Sequence, residues 1–229
     1  MSKKILALLV CFFLVFSIVS FGAHANEIRV FRKSIKSTKK IALTFDDGPH
    51  PRLTPKILEI LDEYGIKATF FVIGKNALDY PDTMRLLAES GCEIGNHTFS
   101  HSDLWGKSES NMREEILDCS RILSENYGID TKLLRPPRGR FDEGVAAMSE
   151  ELDYDIILWN IDTEDWAHTS AQNIAKKVLG GVTGGDIILM HDFIGREGHT
   201  CEALRLIIPE LLERGFEFVT VGELIRDEI

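Results

Sequence analysis

Cysteine is scarce in this chain of 229 residues: there are four, and Cys11 falls inside an apolar leader, leaving Cys92, Cys119 and Cys201. An odd number without any Cys-x-x-Cys spacing argues against a disulfide framework and a cysteine zinc knot. At least one of the three is expected as a small buried hydrophobe. Basic residues are in deficit, 26 Lys and Arg against 36 Asp and Glu, for a formal charge of −10. That balance excludes the electrostatic footprint of a nucleic-acid-binding protein. No repeat, collagen-like period or low-complexity tract is present, so the chain is neither fibrous nor disordered. Its 44% hydrophobic content is enough for one full core.

Long hydrophobic runs are absent except at the start. There, Lys3 and Lys4 precede an apolar run from Ile5 to Gly22, and Ala23-His24-Ala25 has the small-x-small form of a cleavage site. Residues 1–25 are therefore expected to be a cleaved signal peptide or, given the length of the run, an N-terminal membrane anchor. Both place the remainder outside the cytoplasmic membrane, secreted or anchored on its extracytoplasmic face. Residues 26–39 form a polar, basic lead-in in which EIRVFRKSI has the pattern of an added strand, and the main domain is expected over 40–229.

From Lys40 onward, short apolar runs alternate with helix-like stretches. KIALTF, KATFFVIG, CEIGNH, KLLRPP, YDIILWN, DIILMHD and FEFVTV are each followed by an amphipathic segment. About seven strand–helix units with buried-type strands imply an α/β fold on a parallel sheet, doubly wound or closed into a barrel. In both, functional groups sit just past the strand C-termini. The strand ends here carry Asp46-Asp47, Asn96-His97, Arg135-Pro136-Pro137, the stretch from Asn160 to Asp165, and His191-Asp192. Ionisable residues from distant segments thus gather at one edge of the sheet.

The two carboxylates of TFDDGP end an apolar strand, and NHTFSH places His97 and His101 four residues apart. One helical turn between them would put both imidazoles on one face, at a spacing suited to a shared metal. With one aspartate they make a His-His-Asp set with open positions, which suits zinc or another Lewis-acidic divalent ion and also non-haem iron. A further carboxylate and a further histidine favour hydrolysis, which needs a base for water and an acid for the leaving group.

Five blocks in order, TFDDGP, NHTFSH, RPPRG, DTEDW and ILMHD, make the chain resemble the polysaccharide deacetylases, the NodB-homology domains of carbohydrate esterase family four. The resemblance runs from about Lys40 to Leu224. It implies a distorted (β/α)7 barrel and metal-dependent removal of acetyl groups from sugars. It also implies Asp46 as catalytic base, with Asp47, His97 and His101 as ligands of a divalent metal, zinc first and cobalt or another ion as alternatives. Arg135 would pair with and orient Asp46. His191 would be the general acid, tuned by Asp165. The Arg138 backbone N–H would face the oxyanion, and Trp166 and Leu189 would wall the acetyl pocket. Many members of the family carry Tyr where this chain has Arg138. The implied substrate is a polysaccharide, foremost the amino sugars of peptidoglycan, with chitooligosaccharide or xylan as alternatives. The rival from another class is a non-catalytic glycan-binding protein on the same scaffold.

Overall fold

The computed structural model describes residues 28–37, 39–193 and 198–228. The expected signal peptide or anchor over 1–25 lies outside them. Among the described residues, no helix is long and apolar enough to cross a membrane.

Nine strands form one parallel sheet: β1 (Val30–Phe31), β2 (Lys40–Asp46), β3 (Thr69–Val72), β4 (Glu93–Asn96), β5 (Leu133–Leu134), β6 (Asp155–Ile157), β7 (Ile161–Asp162), β8 (Ile187–His191) and β9 (Glu217–Phe218). The order is β1-β6-β5-β4-β3-β2-β8-β7, with β9 also on β2. The run YDIILWN, expected as one strand, is broken in two. Leu158 N–H donates to Phe31 O on one side of the break, and Asn160 N–H donates to Ile187 O on the other. Residues 155–162 therefore bind both edges of the sheet, which curls it into the expected distorted α/β barrel. The strand expected in EIRVFRKSI is β1, paired with β6 through Val30↔Ile156. Beyond it Lys33 meets Asp186 at 2.6 Å, so these residues of the lead-in pack into the sheet.

The helices are α1 (Leu53–Glu63), α2 (Gly74–Asp79), α3 (Pro81–Glu89), α4 (Glu109–Tyr127), α5 (Glu143–Glu151), α6 (Ala171–Gly181), α7 (Thr200–Glu213) and α8 (Val221–Ile225). Their ends follow local chemistry. Ser108 caps α4 by accepting from Asn111 N–H, and α4 stops at left-handed Gly128. Thr220 and Glu223 form a capping box on α8. Helix α2 was not expected, because six residues are too few for a 3.6-residue period to show.

Strand β2 shows how side-chain alternation builds two cores from one run. Ile41, Leu43 and Phe45 point outward and join Ile57, Leu87, Val178 and Ile207 from the helices. Ala42 points inward with Phe71, Ile187 and Val221, and α8 closes the barrel floor. Thr44 and Asp46 continue the inward face towards the mouth. There the fully buried Arg135 spans the interior. Its guanidinium donates to Ile157 O (3.1 Å), Leu158 O (3.2 Å), Thr44 Oγ1 (2.8 Å) and Asp46 Oδ1 (2.7 Å). It lies 4.0 Å over the Phe71 ring. Only glycine suits position 95 beside it, since an added Cβ would come within 2.5 Å of that ring.

Removing one partner of a buried ion pair leaves an uncompensated charge. Arg135→Met should therefore cost about 3–5 kcal/mol of stability, read by urea unfolding at neutral pH. A loss below about 1 kcal/mol, the worth of an exposed pair, would contradict this role.

Candidate active site

Register, rather than any single loop, assembles the site. Asp46 on β2 is the direct neighbour of His191 on β8, and Val72 on β3 is the neighbour of Asn96 on β4, which delivers His97. Asp46 still follows strand alternation and faces Arg135. Asp47 leaves it, with φ at +76°. That left-handed turn aims its carboxylate at the histidines: Asp47 Oδ1 lies 3.4 Å from His97 Nε2 and 3.3 Å from His101 Nε2, while Asp46 Oδ2 is 3.7 Å from the same His97 nitrogen.

His97 and His101 do not share a helical face. Residues 97–101 are a loop in which Thr98 and His101 have φ of +69° and +61°, and the turns bring the rings to 5.1 Å. Asn96 shapes it, accepting from Thr98 N–H and donating to Ile116 O.

The donor set fits a divalent cation. The buried His97 Nδ1–H donates to Arg135 O at 2.7 Å, which leaves Nε2 as the lone-pair nitrogen. That nitrogen faces Asp47 Oδ1, a buried oxygen with no hydrogen-bond partner. One donor atom from each of Asp47, His97 and His101 lies within 4.8 Å of the others. Acceptors converging on one point need a positive charge among them. Without a metal a proton serves. Burial opposes charging His97, but Asp46 and Asp47 outweigh it and raise its pKa above the ordinary value. Burial pushes the Asp47 carboxyl up, and its contacts with His97 more than reverse this. His101, partly exposed, is lowered by burial and by His97.

Opposite this triad, His191 Nδ1 meets Asp165 Oδ1 at 2.8 Å. Asp165 is fully buried, and its other oxygen accepts from His191 N–H and Thr200 Oγ1–H. Burial would lower the imidazole's pKa, but the hydrogen bond and charge of Asp165, backed by Asp46 and Asp47, raise it to about 9. The ring can therefore hold a proton at neutral pH and present Nε2 to the cavity.

Asp46, Asp47, His97, His101, Arg138, Trp166, Leu189 and His191 line one pocket of about 460 Å³. Arg135 and Asp165 stand directly behind it. Trp166 is an exposed wall, while Leu189 lines the pocket and also packs in the sheet with 3% exposure. The Arg138 side chain points to solvent near Asp103, on a left-handed residue. Trp159 and Asp162 also line the pocket; Asp162 belongs to the strand-end stretch from Asn160 to Asp165, while Trp159 was not expected there. A tryptophan at the C-terminal end of a buried run was the available signal for it. Cys92, Cys119 and Cys201 are all free, and burial pushes the Cys119 thiol up to about 12, so it is inert.

Residues 33–157 match the family model described as polysaccharide deacetylase. A peptidoglycan-N-acetylglucosamine deacetylase of Bacillus cereus is 40% identical over 82% of this chain and 68% of its own length. The deacetylase PgdA of Listeria monocytogenes is 37% identical over 85% of this chain, which spans only 40% of that protein. The crystal structure of the Bc1960 peptidoglycan N-acetylglucosamine deacetylase superposes with a TM-score of 0.81 at 38% identity, covering 86% of this chain and 92% of that one.

A histidine whose folded pKa is raised adds stability that is complete below its unfolded value, near 6.5, and is lost as pH climbs through about 9. Titration of the metal-free protein by histidine NMR should place His191 well above 7. Asp165→Asn should return it towards or below 6.5, and an unchanged midpoint would show that Asp165 does not tune it.

Proposed function

The chain belongs to the polysaccharide deacetylase family, and we propose on that premise that it hydrolyses the N-acetyl groups of peptidoglycan amino sugars, N-acetylglucosamine or N-acetylmuramic acid. The observation that carries the reading is the pairing, across one pocket, of a metal-fitting triad and an arginine-held carboxylate with a histidine buried against an aspartate. A glycan-binding relative without activity has no need for both halves. The acid and base also favour hydrolysis over iron-dependent oxygen chemistry, which does not require them. The peptidoglycan assignment rests on what the similar proteins act on and on the exported location that residues 1–25 imply.

A divalent ion held by Asp47, His97 and His101, zinc in this reading, supplies Lewis acidity to the acetyl carbonyl. Asp46, oriented by Arg135, takes the proton of the attacking water as its oxygen bonds to the carbonyl carbon. The Arg138 backbone N–H donates to the oxygen that gains charge. His191 gives its proton to the sugar nitrogen as the C–N bond breaks, so the products are acetate and a free amine. Trp166 and Leu189 enclose the methyl group, and Asp165 keeps His191 charged and aimed.

The test is acetate release from peptidoglycan, chitooligosaccharides and acetylated xylan, with the modified sugar located by mass spectrometry. Release from peptidoglycan is expected; none from any of the three by zinc-loaded protein would overturn the reading. An amine needs a proton to leave, whereas a phenolate does not. His191→Ala should therefore lower turnover of the amide about a hundredfold or more and of an activated acetyl ester far less. Equal losses on both would remove the acid role.

A further inference from the structure

Asp192 has no part in the chemistry above, yet it is buried without any exposed surface directly after His191. Among the described residues its carboxyl is one of two buried groups with an oxygen lacking a hydrogen-bond partner, Asp47 being the other. Burial of a carboxyl is costly unless hydrogen bonds or an ion pair offset it. Three contacts tie this one to the strand end that carries both catalytic aspartates. Its N–H donates to Asp46 O at 3.1 Å. Its Oδ2 accepts from Thr54 Oγ1–H at 2.5 Å, and the same hydroxyl accepts from His50 N–H at 2.8 Å. Its carboxyl also lies against Gly48 so closely that a Cβ there would sit 2.1 Å from Oδ2.

Gly48 follows Asp47, whose left-handed backbone aims its carboxylate at the two histidines. A non-glycine residue at φ +76° persists only where its surroundings hold it. On the outer side, Asn76 Nδ2–H donates to Asp47 O at 2.7 Å and Ile73 N–H to Gly48 O at 3.0 Å. Asp192 and Thr54 supply the inner side. We propose that Asp192 is a positioning residue for the metal site: its carboxyl, packed on Gly48 and bonded through Thr54 to His50, clamps the 46–50 turn that aims Asp47 at His97 and His101. This rests on reading the triad as a metal site, and explains why residue 48 must be glycine here.

Zinc affinity of the full chain, measured by isothermal titration with Zn²⁺ alone, tests the clamp without any glycan. Groups that orient a ligand are worth about ten- to a hundredfold in metal affinity, so Asp192→Ala should weaken binding by that factor. Thr54→Val, which removes only the bridging hydroxyl, should weaken it in the same direction and carries the test if Asp192→Ala does not fold. Gly48→Ala should weaken it strongly. Gly48→Ala/Asp192→Ala should bind more tightly than Gly48→Ala, because the carboxyl that met the new methyl is gone. A general structural role would instead lower thermal stability, leave the affinity of the folded protein unchanged and make the double variant additive. Wild-type affinity in both Asp192→Ala and Thr54→Val, or no relief in the double variant, would overturn the proposal. Wild-type protein that binds zinc but releases no acetate would overturn the deacetylase reading instead and leave the clamp standing.

Discussion

A guanidinium taken wholly out of water must meet acceptors on every side, and Arg135 meets them on two parts of the barrel that lie far apart in sequence. It takes a hydroxyl and a carboxylate from β2 and the carbonyls of Ile157 and Leu158 at the end of β6, while its own carbonyl accepts from His97. The arginine thereby ties the interior of the barrel to Asp46 on one side and His97 on the other. A shift of β5, β2 or the 158–160 bend would strand a buried charge, so the mouth of the barrel is held where stability is most sensitive. Site and fold are stabilised by the same contacts.

That frame gives two adjacent, identical side chains different work. Asp46 obeys the two-residue period of β2 and points inward; Asp47 escapes it through a left-handed turn. The cost of such a backbone, about 1–3 kcal/mol, is met by hydrogen bonds on the turn. Arg135 pairs with Asp46 alone, while His97 Nε2 lies within reach of both carboxylates, 3.4 Å from Asp47 Oδ1 and 3.7 Å from Asp46 Oδ2. Across the pocket, parallel register sets His191 beside Asp46, so the proposed proton donor and the carboxylate proposed to accept one stand on neighbouring strands.

The strands and most helices could be read from the sequence because their apolar periods are long enough to count, and because a parallel sheet gathers its strand ends at one edge. The residues at those ends were legible for the same reason: Asp46, His97, Arg135 and His191 each close an apolar run. Less could be read where the backbone departs from regular structure at non-glycine residues. The positive φ values of Thr98 and His101 replace the helical turn that a four-residue histidine spacing suggests. The break in YDIILWN depends on competition between two sheet edges that lie far apart in sequence. Trp159 reads as the apolar end of a strand until the pocket wall is built around it, and Asp192 as a polar strand end until Gly48 is seen to have no room.

Asp46 and Asp47 are proposed to divide the work of base and metal ligand between them, and metal content with turnover in the two asparagine variants separates these roles. Asp46→Asn should retain the metal at wild-type stoichiometry by elemental analysis and lose about a hundred- to ten-thousand-fold in acetate release, the usual worth of a positioned base. Asp47→Asn should lose the metal and recover part of its activity in excess zinc. Metal lost from Asp46→Asn but retained by an inactive Asp47→Asn would contradict the account and reverse the two roles.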